Sequence, residues 1–160
     1  KIKFLYVGRM SPEKGIFDFI NMFNKLDFEA ELSIAGYPKN SFTVDKRVKF
    51  LGYFSNPELL MNVYDDHNIT ILPSYTEGHS MVLLEALARL RPVIIFEEIQ
   101  HVIGKKRGIF VTKRNTKNFL ETINHIKKNY PEIQELMKQN QLPTKDQFLE
   151  KFKNLISNQH

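Results

Sequence analysis

Residues 68–97 read NITILPSYTEGHSMVLLEALARLRPVIIFE and contain a whole unit of architecture. NITILPS is a β-branched run that stops at proline and serine, and RPVIIFE is a second one; between them SMVLLEALARL is rich in helix formers. Strand, helix and strand in roughly thirty residues is the length of a right-handed crossover between parallel strands. From Met81 to Leu90 nearly every side chain is apolar, so most faces of this helix must be covered. Glu85 sits in its middle. An unpaired buried carboxylate costs several kcal/mol or takes up a proton, so protein donors or the hydroxyls and amides of a ligand must satisfy it.

The same alternation extends in both directions. KIKFLYVG reads as a buried strand ending at a glycine turn, and SPEKGIFDFINMFNKL as a helix with Ser11 as N-cap, Pro12 in its first turn and Ile16, Phe19, Ile20 and Phe23 at helical spacing. AELSIAG and RVKFLGY follow as strands and NPELLMNVY as a short helix; after residue 97, GIFVTK is one more strand. TKNFLETINHIKK, PEIQELMKQ and KDQFLEKFKNLI then give a helical C-terminal third. The pattern predicts an α/β fold: a Rossmann-like parallel sheet of about six strands with helices on both faces.

With 160 residues, 42% of them hydrophobic, the chain suits a single domain, with residues 1–113 as its core and helices over 114–160. The absence of cysteine excludes disulfides, a thiolate nucleophile and cysteine-ligated metal. A net charge of +5 favours anionic contacts, whether nucleotide phosphates, lipid head groups or nucleic acid. No apolar run reaches the roughly 18 to 20 residues that cross a bilayer, and no signal-peptide pattern opens the chain. The cytoplasm is the simplest compartment to expect. Lys1 falls directly into a strand pattern, so the chain is expected to be a segment of a longer protein.

Parallel sheets of this kind bind ligands at the carboxyl ends of their strands, where the strand order reverses. Counting from the start, the two strands at that point are KIKFLYVG and NITILPS. Their outgoing loops, GRMSPEKG and YTEGHS, place Arg9, Lys14 and Glu77 around one crevice. Gly8 permits a tight turn and close backbone approach, and the two cations suit a diphosphate. Gly78, His79, Ser80 and Met81 open the apolar helix, where free N–H groups and the helix dipole favour phosphate. Carboxylates repel phosphates, so Glu77 and Glu85 fit neutral hydroxyls: a sugar for one, a ribose for the other.

Glu77 and Glu85, with seven residues between them inside EGHSMVLLEALARLRPVI, stand in order with VGRMSPEKG and VKFLGYFSNPEL. This ordered set resembles the donor-binding, C-terminal domain of GT-B glycosyltransferases of family 4, over roughly Lys1 to Lys113. The resemblance implies that Arg9 and Lys14 bind the diphosphate of a nucleotide sugar. Glu77, aided by backbone N–H groups from Gly78 to Met81 and by His79, would contact the transferred sugar; Glu85 would hold the ribose. The segment from Phe50 through Tyr53 to Phe54 would lie near the base. Glu77, Arg9 and Lys14 would be the groups closest to the chemistry. It further implies transfer with retention, no metal and no cofactor beyond the donor itself. The glycan or glycolipid acceptor would bind an N-terminal domain absent from this chain, so the segment alone would be inactive.

The chain departs from the family pattern in three places: Leu90 stands where glycine is usual, EEIQHVIG replaces a longer glycine-rich loop near the donor, and AGYPKNSFTVDKRV is a shortened connection. Plainer readings accompany each feature. Glu85 could be a structural carboxylate bonded to backbone N–H groups or Arg9. Phe17, Phe19, Phe23 and Phe28 read as core or domain interface. His79 lacks companions at metal-ligand spacing. Lys105, Lys106 and Arg107 read as a solvated loop, with contact to lipid head groups at the inner face of a membrane as the sharper alternative. Abundant lysine, asparagine and isoleucine suit an AT-rich bacterial genome, and hence surface polysaccharide assembly. The rival functions are a non-catalytic module of the same fold and another GT-B enzyme such as a sugar-nucleotide epimerase; nucleic-acid binding lacks any motif.

Overall fold

The first strand, β1 (Ile2–Val7), has its central residues Phe4, Leu5 and Tyr6 fully buried, as expected of a strand covered on both faces. The computed structural model describes residues 1–37, 44–144, 146, 147 and 150. After β1 come α1 (Ile16–Asn24), β2 (Ala30–Ala35), β3 (Val48–Gly52), α2 (Pro57–Asp65), β4 (Ile69–Leu72), α3 (Met81–Ala88), β5 (Val93–Phe96), β6 (Ile109–Thr112), α4 (Thr116–Lys128) and α5 (Tyr130–Met137). The strands form one six-stranded sheet in the order β3-β2-β1-β4-β5-β6, and every pairing is parallel. Strand order therefore reverses between β1 and β4, the two strands named by counting.

Helices cover both faces. On one side Phe19 of α1 meets Phe119 of α4 with ring centroids 5.4 Å apart, and Phe4, Phe23 and Phe96 complete the aromatic cluster. On the other, α2 and α3 are joined by Tyr64 to Glu85 and by Asp65 to Arg89. The phenylalanine stripe is core: Phe19 and Phe23 are buried, and Phe17 and Phe28 pack against them half-buried.

Two details differ from the sequence reading. The first helix begins at Ile16, not at Ser11. Pro12–Lys14 forms a separate 3-10 turn, Gly15 takes a left-handed φ of 65°, and the Ser11 hydroxyl donates to Glu13 at 2.6 Å instead of capping. The cause is tertiary: a Cβ on Gly15 would stand 2.0 Å from the Pro73 carbonyl oxygen, so the break lets the loop after β1 lie against the loop after β4. The segment after β5 is not open loop but 3-10 helix over Glu97–Val102. Leu90, where the resemblance leads glycine to be expected, takes a left-handed φ of 56° to end α3. Of the expected third C-terminal helix and the shortened connection, residues 145, 148, 149, 151–160 and 38–43 lie outside the described residues.

Candidate functional site at the sheet's switch point

Two loop ends build the crevice. At the end of β1, Gly8 donates its N–H to Ala35 at 3.0 Å, and a Cβ on Gly36 would sit 2.0 Å from the Gly8 carbonyl oxygen. The loop can pass this close only because Gly36 has no side chain. The Tyr6 hydroxyl donates to the Arg9 carbonyl at 2.5 Å, fixing the backbone while the Arg9 side chain remains exposed. Burial pushes the Tyr6 phenol far up, so it stays a donor.

Across the crevice, Lys14 Nζ meets Glu77 Oε1 at 2.8 Å, and Ser74 Oγ donates to the same oxygen at 3.0 Å. The Glu77 side chain is 7% exposed against 28% for Lys14, so the pair is sheltered on its acidic side and open on its basic one. His101, on the 3-10 helix after β5, brings a ring nitrogen within 2.7 Å of the Glu77 carbonyl. Arg114 braces the loop from below. Its guanidinium lies over Tyr75 at 3.9 Å and Phe96 at 4.3 Å, pairs with Glu98 at 2.7 Å, and donates to the carbonyls of Pro73 at 2.6 Å and Ser74 at 3.2 Å. Tyr75 bonds Asp18 of α1 through its hydroxyl at 2.7 Å and Glu13 through its N–H at 3.0 Å.

Ser80 caps α3, accepting from the Leu83 N–H at 3.2 Å, and Gly78, His79 and Met81 are exposed beside it. Four residues beyond Met81, Glu85 is half-buried, and its Oε2 accepts from the Tyr64 hydroxyl at 2.9 Å. Among the described residues its partner is therefore a buried phenol on α2 and neither Arg9 nor a backbone N–H. Burial raises the Glu85 carboxyl above the usual range, and the Tyr64 bond acts against that shift.

Two cavities flank the end of β1. One of about 480 Å³ is lined by Lys14, Tyr75, Glu77, Gly78, Glu98 and His101. The other, about 460 Å³ and largely apolar, is walled by Gly8, Arg9, Tyr37, Tyr53, Phe54 and Leu60. Tyr37 and Tyr53 stack at its mouth, with ring centroids 5.2 Å apart and planes 14° from parallel. Phe50 stands on edge strand β3 and is not among the walls of either cavity, and Glu85 lines neither. The structure thus brings Lys14, Glu77 and Gly78 together on one side and Gly8, Arg9 and Tyr53 on the other.

Tyr37, Tyr64, Ser74, His101 and Arg114 escaped the sequence reading. Tyr37 follows AELSIAG directly and Arg114 follows GIFVTK directly, so the rule that sites gather at strand carboxyl ends could have found both. Nothing local marks Tyr64.

Comparison with known proteins shows the family. Residues 1–129 match the family described as Glycosyl transferases group 1. This chain belongs to that family. It is 32% identical over 128 residues to an uncharacterized glycosyltransferase of Methanocaldococcus jannaschii, covering 69% of this chain and 32% of that protein. It is 26% identical over 132 residues to the capsular polysaccharide biosynthesis glycosyltransferase CapM of Staphylococcus aureus, covering 74% and 34%. The chain spans about a third of the length of the curated relatives it matches. Among solved structures, the C-terminal domain of the group 1 glycosyl transferase LpcC of Francisella tularensis superimposes with a TM-score of 0.64 at 17% identity, covering 88% of this chain and 82% of that one. HepE of Anabaena, solved with UDP-glucose, superimposes with a TM-score of 0.68 at 17% identity, covering 85% and 42%. The fold is thus one half of the GT-B architecture. Among the described residues no helix is long and apolar enough to cross a membrane.

Proposed function

We propose that this chain is the donor-binding half of a cytoplasmic glycosyltransferase that moves a hexose from a nucleoside diphosphate to a glycan or lipid-linked acceptor. The observation that carries the reading is the meeting of Lys14, Glu77 and the start of α3 at the switch point, flanked by one polar and one apolar cavity. The polar cavity is the place for the sugar, with Glu77 accepting from its hydroxyls. Arg9, Lys14 and the N–H groups of Gly78 to Met81 receive the diphosphate, Lys14 exchanging the Glu77 carboxylate for phosphate oxygens. The apolar cavity, with Tyr37, Tyr53 and Phe54, takes the base, and Glu85 takes the ribose hydroxyls. HepE, of the same fold, was solved with UDP-glucose, which supports a nucleotide sugar as ligand.

In this reading the acceptor hydroxyl forms a bond to the sugar's anomeric carbon on the face from which the diphosphate departs. The bond from that carbon to the diphosphate oxygen breaks with its electron pair, and the acceptor proton passes to the departing diphosphate. Configuration is retained, no metal takes part, and the cations at the end of β1 stabilise the leaving charge. The acceptor comes from a second domain, so the chain alone binds donor without turnover. Contact with anionic lipid at the inner membrane face through Lys105, Lys106 and Arg107 belongs to the same proposal.

Calorimetric titration with UDP, GDP, ADP and their sugar conjugates tests it. Saturable binding of one diphosphate, weakened by Arg9→Ala far more than binding of the matching nucleoside, is the expected result. Failure of every nucleotide to bind this chain and its full-length parent would leave a non-catalytic module as the better reading.

A further inference from the structure

Tyr64 is fully buried on α2, yet its one polar atom points across to α3 and donates to Glu85 Oε2 at 2.9 Å. A buried phenol needs an acceptor, but a backbone carbonyl would serve as well. Here the acceptor is the one carboxylate in an otherwise apolar helix. The bond occupies one carboxylate oxygen and restricts rotation of the group. Oε1 is left as the oxygen for a ligand's hydroxyls, and a carboxylate already held at Oε2 has less rotational freedom to lose on binding.

We infer that Tyr64 is a positioning residue for nucleotide recognition, holding Glu85 oriented so that it discriminates a ribose diol from a sugar lacking those hydroxyls. The inference rests on the assignment of Glu85 to the ribose. Its second leg is charge. A half-buried carboxylate holds its proton more tightly, and a protonated Glu85 would offer a donor where two hydroxyls seek acceptors. The hydrogen bond from Tyr64 opposes that protonation. The nearby charges pair among themselves: Asp65 on α2 is engaged with Arg89, one turn past Glu85, and with Arg91. Burial pushes the Tyr64 phenol so far up that it donates throughout the working pH range.

The test uses the full 160-residue chain, titrated between about pH 5 and pH 8 with the tightest binder among UDP, GDP and ADP and with its 2′,3′-dideoxy analogue. Tyr64→Phe removes one oxygen and keeps the ring that packs the core. The variant is expected to bind the ribonucleotide about tenfold more weakly and the dideoxy analogue unchanged, with the acid limb of ribonucleotide binding moved to higher pH. In a Glu85→Gln background the same change is expected to have no further effect.

If Glu85→Gln lowers the preference for ribose while Tyr64→Phe alters neither affinity nor the acid limb, the positioning role is wrong and the ribose assignment stands. Equal losses for both nucleotides in Tyr64→Phe would show a structural effect and also overturn the role. If Glu85→Gln leaves the preference intact, the ribose assignment fails and the inference falls with it. Absence of binding by all three nucleotides removes both.

Discussion

Replacing Gly15 by alanine should damage the protein more than any neighbouring glycine substitution, because two separate penalties meet there. The new Cβ would stand 2.0 Å from the Pro73 carbonyl oxygen, whereas such carbon to oxygen contacts settle at about 3.3 Å, so two backbone segments must part by roughly 1.3 Å. Overpacking of this kind costs about 1–3 kcal/mol. The left-handed φ of 65° adds about 1–2 kcal/mol for a residue with a side chain. Together Gly15→Ala is expected to lose roughly 2–5 kcal/mol, or at least about 4 °C in a chain of this size. Urea unfolding followed by circular dichroism reads the loss directly. Gly78→Ala is the matched control, since a Cβ there meets nothing within 4 Å. The two loops carry Lys14 and Glu77, so Gly15→Ala should also weaken nucleotide binding at temperatures where the variant is still folded. If the two variants unfold within about 0.5 kcal/mol of one another, the close approach of the loops after β1 and β4 is wrong.

Glu85→Gln is expected to stabilise the fold at neutral pH while weakening ligand binding. The folded protein raises the Glu85 carboxyl by burial, so the native state holds that proton more tightly than the unfolded chain does, and wild-type stability falls as pH rises from the unfolded value near about 4.3 through the folded one. Thermal melts from acid to neutral pH should show the variant gaining on wild type as pH rises; a constant difference would refute the burial argument. Arg114→Lys keeps the charge but loses the stack on Tyr75 and Phe96 and the fork onto two carbonyls, so a loss of about 2 kcal/mol is expected by chemical unfolding. Parity with wild type would mean that charge alone matters there. Leu90→Gly removes left-handed strain and half-buried packing at once, so stability should stay within about 1 kcal/mol of wild type, whereas Leu87→Gly in the buried helix should lose about 3 kcal/mol or more. Comparable losses in both would show that Leu90 carries no backbone strain.

What the sequence determined by itself was the order of elements and the switch point at which the candidate site lies. Periods of 2 and 3.6 are local properties, and NITILPS, SMVLLEALARL and RPVIIFE carry them within a few residues. The parallel sheet and the pairing of β1 with β4 followed from handedness and connection length. Arg9, Lys14, Glu77 and Glu85 drew notice as candidates because each stands at a strand end or breaks an apolar pattern.

The tertiary structure decided what those residues touch. Lys14 bonds a residue 63 positions away, Arg114 one 41 away and Tyr64 one 21 away, and no periodicity links such distant positions. Ser11 illustrates the reverse case. Its local signals were those of a helix cap, and the chain overrode them so that Gly15 could lie against Pro73, because that contact joins the two halves of the sheet at the crevice. Phe50 and Tyr53, three residues apart, are equivalent as apolar aromatics in sequence. The end of β3 separates them: Phe50 remains on the edge strand, and Tyr53 passes over the strand end to stack on Tyr37 at the mouth of the apolar cavity.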